Sequence, residues 1–167
     1  LIKTKNIKMF VKVLKEIDYF TLLLLAALFV IIKGISKAGV IDRLAKAFMN
    51  IGGNNLFVMY TIIIFMSVLL SAFIDNIPYV ATMLPVVKHI SLPMGGQPYV
   101  LYFGLLIGAT LGGNLTPIGA SANIAGIGIL RKEGYEVKAK DFFKIGIPFS
   151  LTAVLAGYVI IWLFWGI

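Results

Sequence analysis

The sequence predicts an all-α membrane protein in which a re-entrant helical hairpin is followed by a broken transmembrane helix. Three observations carry this reading. First, 60% of the 167 residues are hydrophobic and only 13% are charged, with a mean hydropathy of +0.98. Soluble domains hold about 45–50% apolar residues, and a soluble core of this size could not hide so much apolar surface. Second, Lys and Arg cluster at the ends of helix-length apolar runs instead of interrupting them. Third, two runs are broken by short polar strings, Asp75-Asn76-Ile77-Pro78 and Gly112-Gly113-Asn114-Leu115-Thr116-Pro117-Ile118-Gly119. Each break lies far enough from a charged flank to sit near mid-depth in a bilayer. Unwound backbone and a carboxylate are costly there unless they line a cavity or bind something.

Residues 1–18 form a basic cytoplasmic segment with Lys3, Lys5, Lys8, Lys12 and Lys15. It does not read as a signal peptide, because no small-residue cleavage site follows the apolar run. Residues 19–35 are apolar apart from Thr21, Lys33 and Gly34. At 1.5 Å per residue this length just spans a hydrocarbon core, so it is a transmembrane helix.

Residues 36–54 are an amphipathic arm helix and its linker. Val40, Ile41, Leu44, Phe48 and Met49 recur at helical spacing, opposite Asp42, Arg43, Lys46 and Asn50. Such a helix lies at the membrane surface; the alternative is a soluble linker helix.

Residues 55–167 hold the remaining spans. Leu56–Ile74 is apolar, with Ser67 and Ser71 as small polar points. The first break follows, and a second limb over 79–87 is closed by Lys88-His89. A limb of about 10 residues reaches only ~15 Å, so 55–90 reads as a hairpin that turns back at mid-depth. Pro78 suits the first turn of that limb, where its missing N–H costs little. Residues 93–98 are a loop, and 99–130 is one broken helix around the Gly/Asn/Thr/Pro break. Gly104, Gly108 and Gly112 repeat every four residues, a seam that admits another helix backbone. A polar loop covers 131–141, and 142–165 is the last span, with Trp162 and Trp165 as an interfacial belt.

The net charge is +8, from 15 Lys and Arg against 7 Asp and Glu. The bases flank apolar spans and form no stripe with aromatics, so lipid headgroups account for them and nucleic acid does not. The N-terminal segment and the 131–144 region together hold ten of the bases and the opposite face five, which makes the richer face cytoplasmic. The chain has no cysteine, which excludes disulfides and thiolate metal sites. No H-E-x-x-H or G-x-S-x-G string occurs, so the sequence does not read as an enzyme.

The chemistry falls on the two breaks. Asp75 is the one acidic residue deep in the apolar regions. A carboxylate there must be partnered, hydrated or protonated, which makes it a candidate proton acceptor or cation ligand. It is equally placed to cap the second limb, helped by Asn76. Asn114, Thr116, Ser121 and Asn123 gather around the second break. Its unwound carbonyls are good sodium ligands, and the half-helix starting near Ala120 offers N–H donors. The expected substrate or ion residues are therefore Asp75, Asn76, Asn114, Thr116, Ser121 and Asn123, with sodium at Asp75, Asn76 and Asn114. Pro78, Gly112, Gly113, Pro117 and Gly119 make the backbone breaks. His89 reads as an ordinary interfacial residue.

The strings Ser-Ala-Phe-Ile-Asp-Asn-Ile-Pro-Tyr-Val-Ala-Thr-Met-Leu-Pro (71–85) and Gly-Ala-Thr-Leu-Gly-Gly-Asn-Leu-Thr-Pro-Ile-Gly-Ala-Ser-Ala-Asn (108–123) resemble the ion transporter superfamily of arsenite permeases, citrate and dicarboxylate transporters, sodium/proton antiporters and the melanosomal P protein. The resemblance implies a multi-pass protein of the inner or plasma membrane, homodimeric, with an inverted repeat and an elevator mechanism driven by sodium or protons. It implies no other cofactor. By the same resemblance 55–90 is the second hairpin, 99–130 the second broken helix and 37–50 the arm to the dimer scaffold.

The chain departs from the family in two ways. It carries one hairpin and one broken helix where the family has two. It therefore looks like the C-terminal portion of a longer protein, or a split subunit needing a companion, and alone it would not transport. It also reads Asp75-Asn76-Ile77 where dicarboxylate carriers have Ser-Asn-Thr. A carboxylate at the tip would repel a carboxylate substrate, which favours arsenite-type efflux or sodium/proton exchange over sodium-coupled citrate symport. A non-transporting membrane-assembly subunit is the alternative from another class.

Overall fold

The structure, a computed structural model, describes residues 19–94 and 99–166. The basic segment 1–18 and part of the 93–98 loop lie outside the described residues. The described chain is helical: α1 (Tyr19–Lys37), α2 (Val40–Gly52), α3 (Leu56–Ser71), α4 (Asn76–Ser91), α5 (Tyr99–Gly112), α6 (Ser121–Lys132) and α7 (Ala139–Trp165), with 3₁₀ turns at Leu92–Met94 and Gly113–Leu115. Among the described residues, α7 is long and apolar enough to cross a membrane outright.

Gly39, with φ of 71°, turns the chain from α1 into α2, a left-handed conformation that favours glycine. The α2 helix sets apolar against charged residues, and protein covers most of its apolar face, Val40 staying exposed. Ile41 and Ala45 are buried, and Leu44, Phe48 and Met49 pack on the core that α3 and α4 provide. Asp42, Arg43 and Lys46 stay exposed. The Asn55 side chain accepts the Val58 N–H at 3.1 Å and starts α3.

The glycine seam sets the fold. A Cβ at Gly104 would lie 2.9 Å from the Tyr60 ring, at Gly108 2.5 Å from the Ile64 carbonyl oxygen, and at Gly112 2.6 Å from the Val68 carbonyl oxygen. The two series ascend together, so α3 and α5 run parallel with their backbones in contact. Because both helices start at the same end, α4 must return the chain to that end. Ser67 and Tyr79, on either side of the first break, join by a 3.0 Å hydrogen bond from the Tyr79 hydroxyl. Met59, Tyr60, Ile63, Ile64, Leu101 and Leu105 fill the α3–α5 core; in lipid such contacts stabilise by close packing more than by hydrophobic transfer.

Two expected lengths change. The second limb starts at Asn76 and runs through Lys88-His89 to Ser91, giving 16 residues and ~24 Å. Length alone therefore does not exclude a crossing. The last helix starts at Ala139 and takes in Lys140 and Asp141, where the sequence predicts a polar loop over 131–141. Charged residues cost little in the first turn of an exposed helix end, so charge alone does not mark the helix boundary.

α7 runs antiparallel to α5. Gly157 faces Ile107 and Gly146 faces the Asn114 carbonyl, while Trp165 lies 5.0 Å from Phe103. Tyr60 stacks on Tyr158 at 5.2 Å and donates its hydroxyl to the Tyr158 carbonyl at 2.9 Å. Trp162 packs on Phe57 at 4.7 Å, so of the expected belt only Trp165 is half exposed. Gly146, level with the second break, lies ~10 Å from the start of α7 and ~28 Å from its end at 1.5 Å per residue. The breaks thus sit off-centre, toward the 131–144 end.

Candidate functional site

The first break begins where Ser71 donates its hydroxyl to the Ala109 carbonyl of α5. The chain then leaves the helix through Ala72, Phe73 and Ile74. Asp75, in an extended conformation, caps α4 by accepting the Ile77 N–H on Oδ1 at 3.3 Å. Pro78 falls in the first turn of α4, where backbone N–H groups have no partner inside the helix and proline removes nothing.

The second break tightens from α5 into the 3₁₀ turn Gly113–Leu115, then extends through Thr116. The Asn123 side chain folds back and donates to the Gly113 carbonyl at 2.9 Å and the Thr116 carbonyl at 3.1 Å. It thereby satisfies two acceptors that unwinding had freed, a requirement in lipid.

The two breaks touch. Thr116 donates its hydroxyl to the Ala72 carbonyl. A Cβ at Gly119 would lie 2.5 Å from the Gly113 carbonyl oxygen, 2.8 Å from that of Ala72 and 3.0 Å from that of Ser71, so only glycine fits between the two backbones. Asp75 Oδ2 accepts the Ser121 N–H at 3.0 Å and also the Ser121 hydroxyl. Ala120, the residue before α6, has no side chain able to cap it. The carboxylate of the first break therefore caps the helix that leaves the second, and its charge faces the positive end of that helix.

The structure thus brings Asp75, Thr116, Ser121, Asn123, Gly113 and Gly119 together. Asp75 bonds to Ile77 and Ser121, Asn76 beside it starts α4, and the Asn114 carbonyl faces Gly146 of α7. Asn114 and Asn123 line a cavity of about 670 Å³ together with Ile127, Glu136, Asp141 and Phe142. The Ala72 carbonyl, which both Thr116 and Gly119 meet, had no sequence signal. Ser67 and Ser71 had one, as small polar residues four apart on an apolar helix.

These features define a helical membrane chain organised around two mutually sealed helix breaks. It belongs to the citrate transporter family, a family of non-enzymatic secondary transporters, whose profile matches residues 1–108. An uncharacterized transporter of Mycobacterium tuberculosis is 38% identical over 152 residues, which cover 90% of this chain and 35% of that protein. An uncharacterized transporter of Synechocystis is 30% identical over 168 residues, 90% of this chain and 37% of that protein. The human P protein is 35% identical over 152 residues, 87% of this chain and 18% of that protein. The chain spans about a third of the length of the first curated relatives it matches. No solved structure matches it.

Proposed function

We propose that this chain is one repeat of an ion-coupled secondary transporter that works by alternating access. In this reading α3 and α4 are a re-entrant hairpin, and its tip meets the broken helix α5–α6 at the coupling site. The carrying observation is the cap that Asp75 places on α6 across the two breaks. Support for re-entry comes from the parallel α3 and α5: α5 and α6 together are long enough to span, and the first break lies level with the interruption between them. The whole transporter is then a multi-pass, homodimeric cell-membrane protein, completed by a second repeat and coupled to sodium or protons. Its cargo is an inorganic ion or a small anion, as in arsenite-type efflux or sodium/proton exchange.

A second reading, sodium-coupled citrate or dicarboxylate symport, is favoured by the family match. It also gains from the engagement of Asp75, because a carboxylate already matched to a helix N-terminus repels an incoming anion less than a free one.

A flux panel on the full-length protein, with sodium, proton, arsenite and citrate gradients, tests the function. The hairpin is tested separately by cysteines introduced at Val80 and Lys88. Lys88→Cys should label from outside, and Val80→Cys should be shielded or reached through the cavity. Labelling of Lys88→Cys from the cytoplasm alone rejects the hairpin.

A further inference from the structure

His89 is the chain's one histidine. It lies in the last turn of α4, with its Nδ1 3.0 Å from Oδ1 of Asp42 in the first turn of α2. The two helices share an apolar seam in which Ile41 and Ala45 of α2 and Val86, Val87 and Ile90 of α4 are buried. The ion pair closes the polar edge of that seam. We propose that Asp42–His89 is a pH-operated latch tying the arm helix α2 to the second limb α4, tight when the imidazole is protonated and loose when it is neutral.

The charge around the pair makes Asp42 decisive. Lys88 precedes His89 on α4, Arg43 and Lys46 follow Asp42 on α2, and Lys33 and Lys37 lie on α1, which packs on both helices. The other titratable groups on these helices and their neighbours are Tyr19 on α1, Tyr60 on α3, Tyr79 on α4, and Tyr99 and Tyr102 on α5. Asp42 is the one carboxylate on α1, α2 or α4, so a proton taken up by His89 meets a single anion among five cations.

The sign follows from the imidazole. Histidine gains its proton as pH falls from 8 toward 5. Both ring nitrogens are then donors, and Nδ1–H makes a charge-assisted bond to the carboxylate, about twice as strong as a neutral one. The neutral ring offers Asp42 a weaker donor or a lone pair. Both side chains are about half exposed, 48% and 57%, so water and salt screen the pair. The change in the docking equilibrium is therefore about 1.5- to 5-fold. The latch stands on this geometry whatever the transporter carries.

Hydrogen–deuterium exchange of the full-length protein, corrected for the pH dependence of chemical exchange, tests it without a substrate. Peptides of α2 should gain about 1.5- to 5-fold protection between pH 8 and pH 5.5, while α7 peptides stay constant. The gain should vanish in His89→Gln and in Asp42→Asn, and the double variant should behave like either single one. His89→Lys, a fixed cation, should show the low-pH protection at both pH values. A wild-type gain that persists in either His89→Gln or Asp42→Asn overturns the latch, as does a gain equally large in α7.

Discussion

Gly108→Ala should destabilise the full-length protein, although alanine is the better helix former. The added Cβ would lie 2.5 Å from the Ile64 carbonyl oxygen and 2.7 Å from the Ser67 Cβ. Ordinary contact begins nearer 3.5 Å, so α5 must move off α3 by ~1 Å to clear the shorter contact. A gap of that size forfeits a quarter to a half of the attraction at each contact along the seam, and overpacking of this kind typically costs ~1–3 kcal/mol. Removing a helical glycine returns ~0.5–1 kcal/mol, leaving a net loss of up to ~2.5 kcal/mol. Gly126→Ala is the control, because a Cβ there meets nothing within 4 Å; it should be neutral or slightly stabilising. Thermal unfolding of the detergent-solubilised protein, followed by tryptophan fluorescence, reads both. If Gly108→Ala melts at or above the wild-type temperature, or Gly126→Ala falls as far as Gly108→Ala, the seam is not held by backbone contact.

Thr116→Val keeps the shape of the side chain but leaves the Ala72 carbonyl without its hydroxyl donor. It should cost ~1–3 kcal/mol in the same melting assay, whereas Thr116→Ser should stay close to wild type. Tyr60→Phe keeps the stack on Tyr158 and loses the hydroxyl bond to its carbonyl, for a loss of ~0.5–1.5 kcal/mol read as a lower melting point. Leu44→Asp with Phe48→Asp places two charges against the covered face of α2. Exchange of α2 amides should then rise sharply while α7 is unaffected; an unchanged α2 would mean the seam with α4 is not formed.

Local sequence signals predicted local structure here, and partners far apart in the chain were beyond them. Gly104, Gly108 and Gly112 announced a backbone contact because only a helix neighbour explains glycine every fourth residue. They did not say that the neighbour is α3, or that it runs parallel. The two breaks were legible because Asp, Asn, Gly and Pro are costly inside an apolar run. That Asp75 caps α6 was not legible, because Ser121 is 46 residues away and its contribution includes a backbone N–H that any residue would carry. Lys88 and His89 were read as the end of a limb because charge ends a membrane span. A helix can continue past charged residues, and α4 does so, running on to Ser91 with His89 beside Asp42 of α2. The amphipathic pattern of α2 gave a correct helix, yet an apolar face looks the same whether lipid or α4 covers it.

Asp75→Asn bears on both helices at once, and this makes it the most informative substitution. Asp75 Oδ1 accepts from Ile77, and Oδ2 accepts from the Ser121 N–H and hydroxyl. Asparagine has one acceptor oxygen and a donor NH₂. If the oxygen turns to Ser121, the NH₂ faces the Ile77 N–H and α4 loses its cap. If it turns to Ile77, the NH₂ faces the Ser121 N–H, and only the rotatable hydroxyl can adapt. Asparagine therefore serves one helix at a time, and one backbone N–H is always left unpaired, at a cost of ~1–3 kcal/mol. The substituted full-length protein should fold but melt lower, with the tie between the breaks loosened. Ser121→Ala is the matched partner, because it removes the hydroxyl and keeps the N–H and the carboxylate. If Asp75 carries the coupling proton, Asp75→Asn should abolish pH-dependent transport and Ser121→Ala should preserve it. If Asp75 acts only as the tie, both variants should slow transport while keeping the wild-type pH dependence, and their melting losses should be less than additive. Wild-type pH dependence in normally expressed Asp75→Asn would leave Asp75 as a cap, and the coupling group would then lie elsewhere.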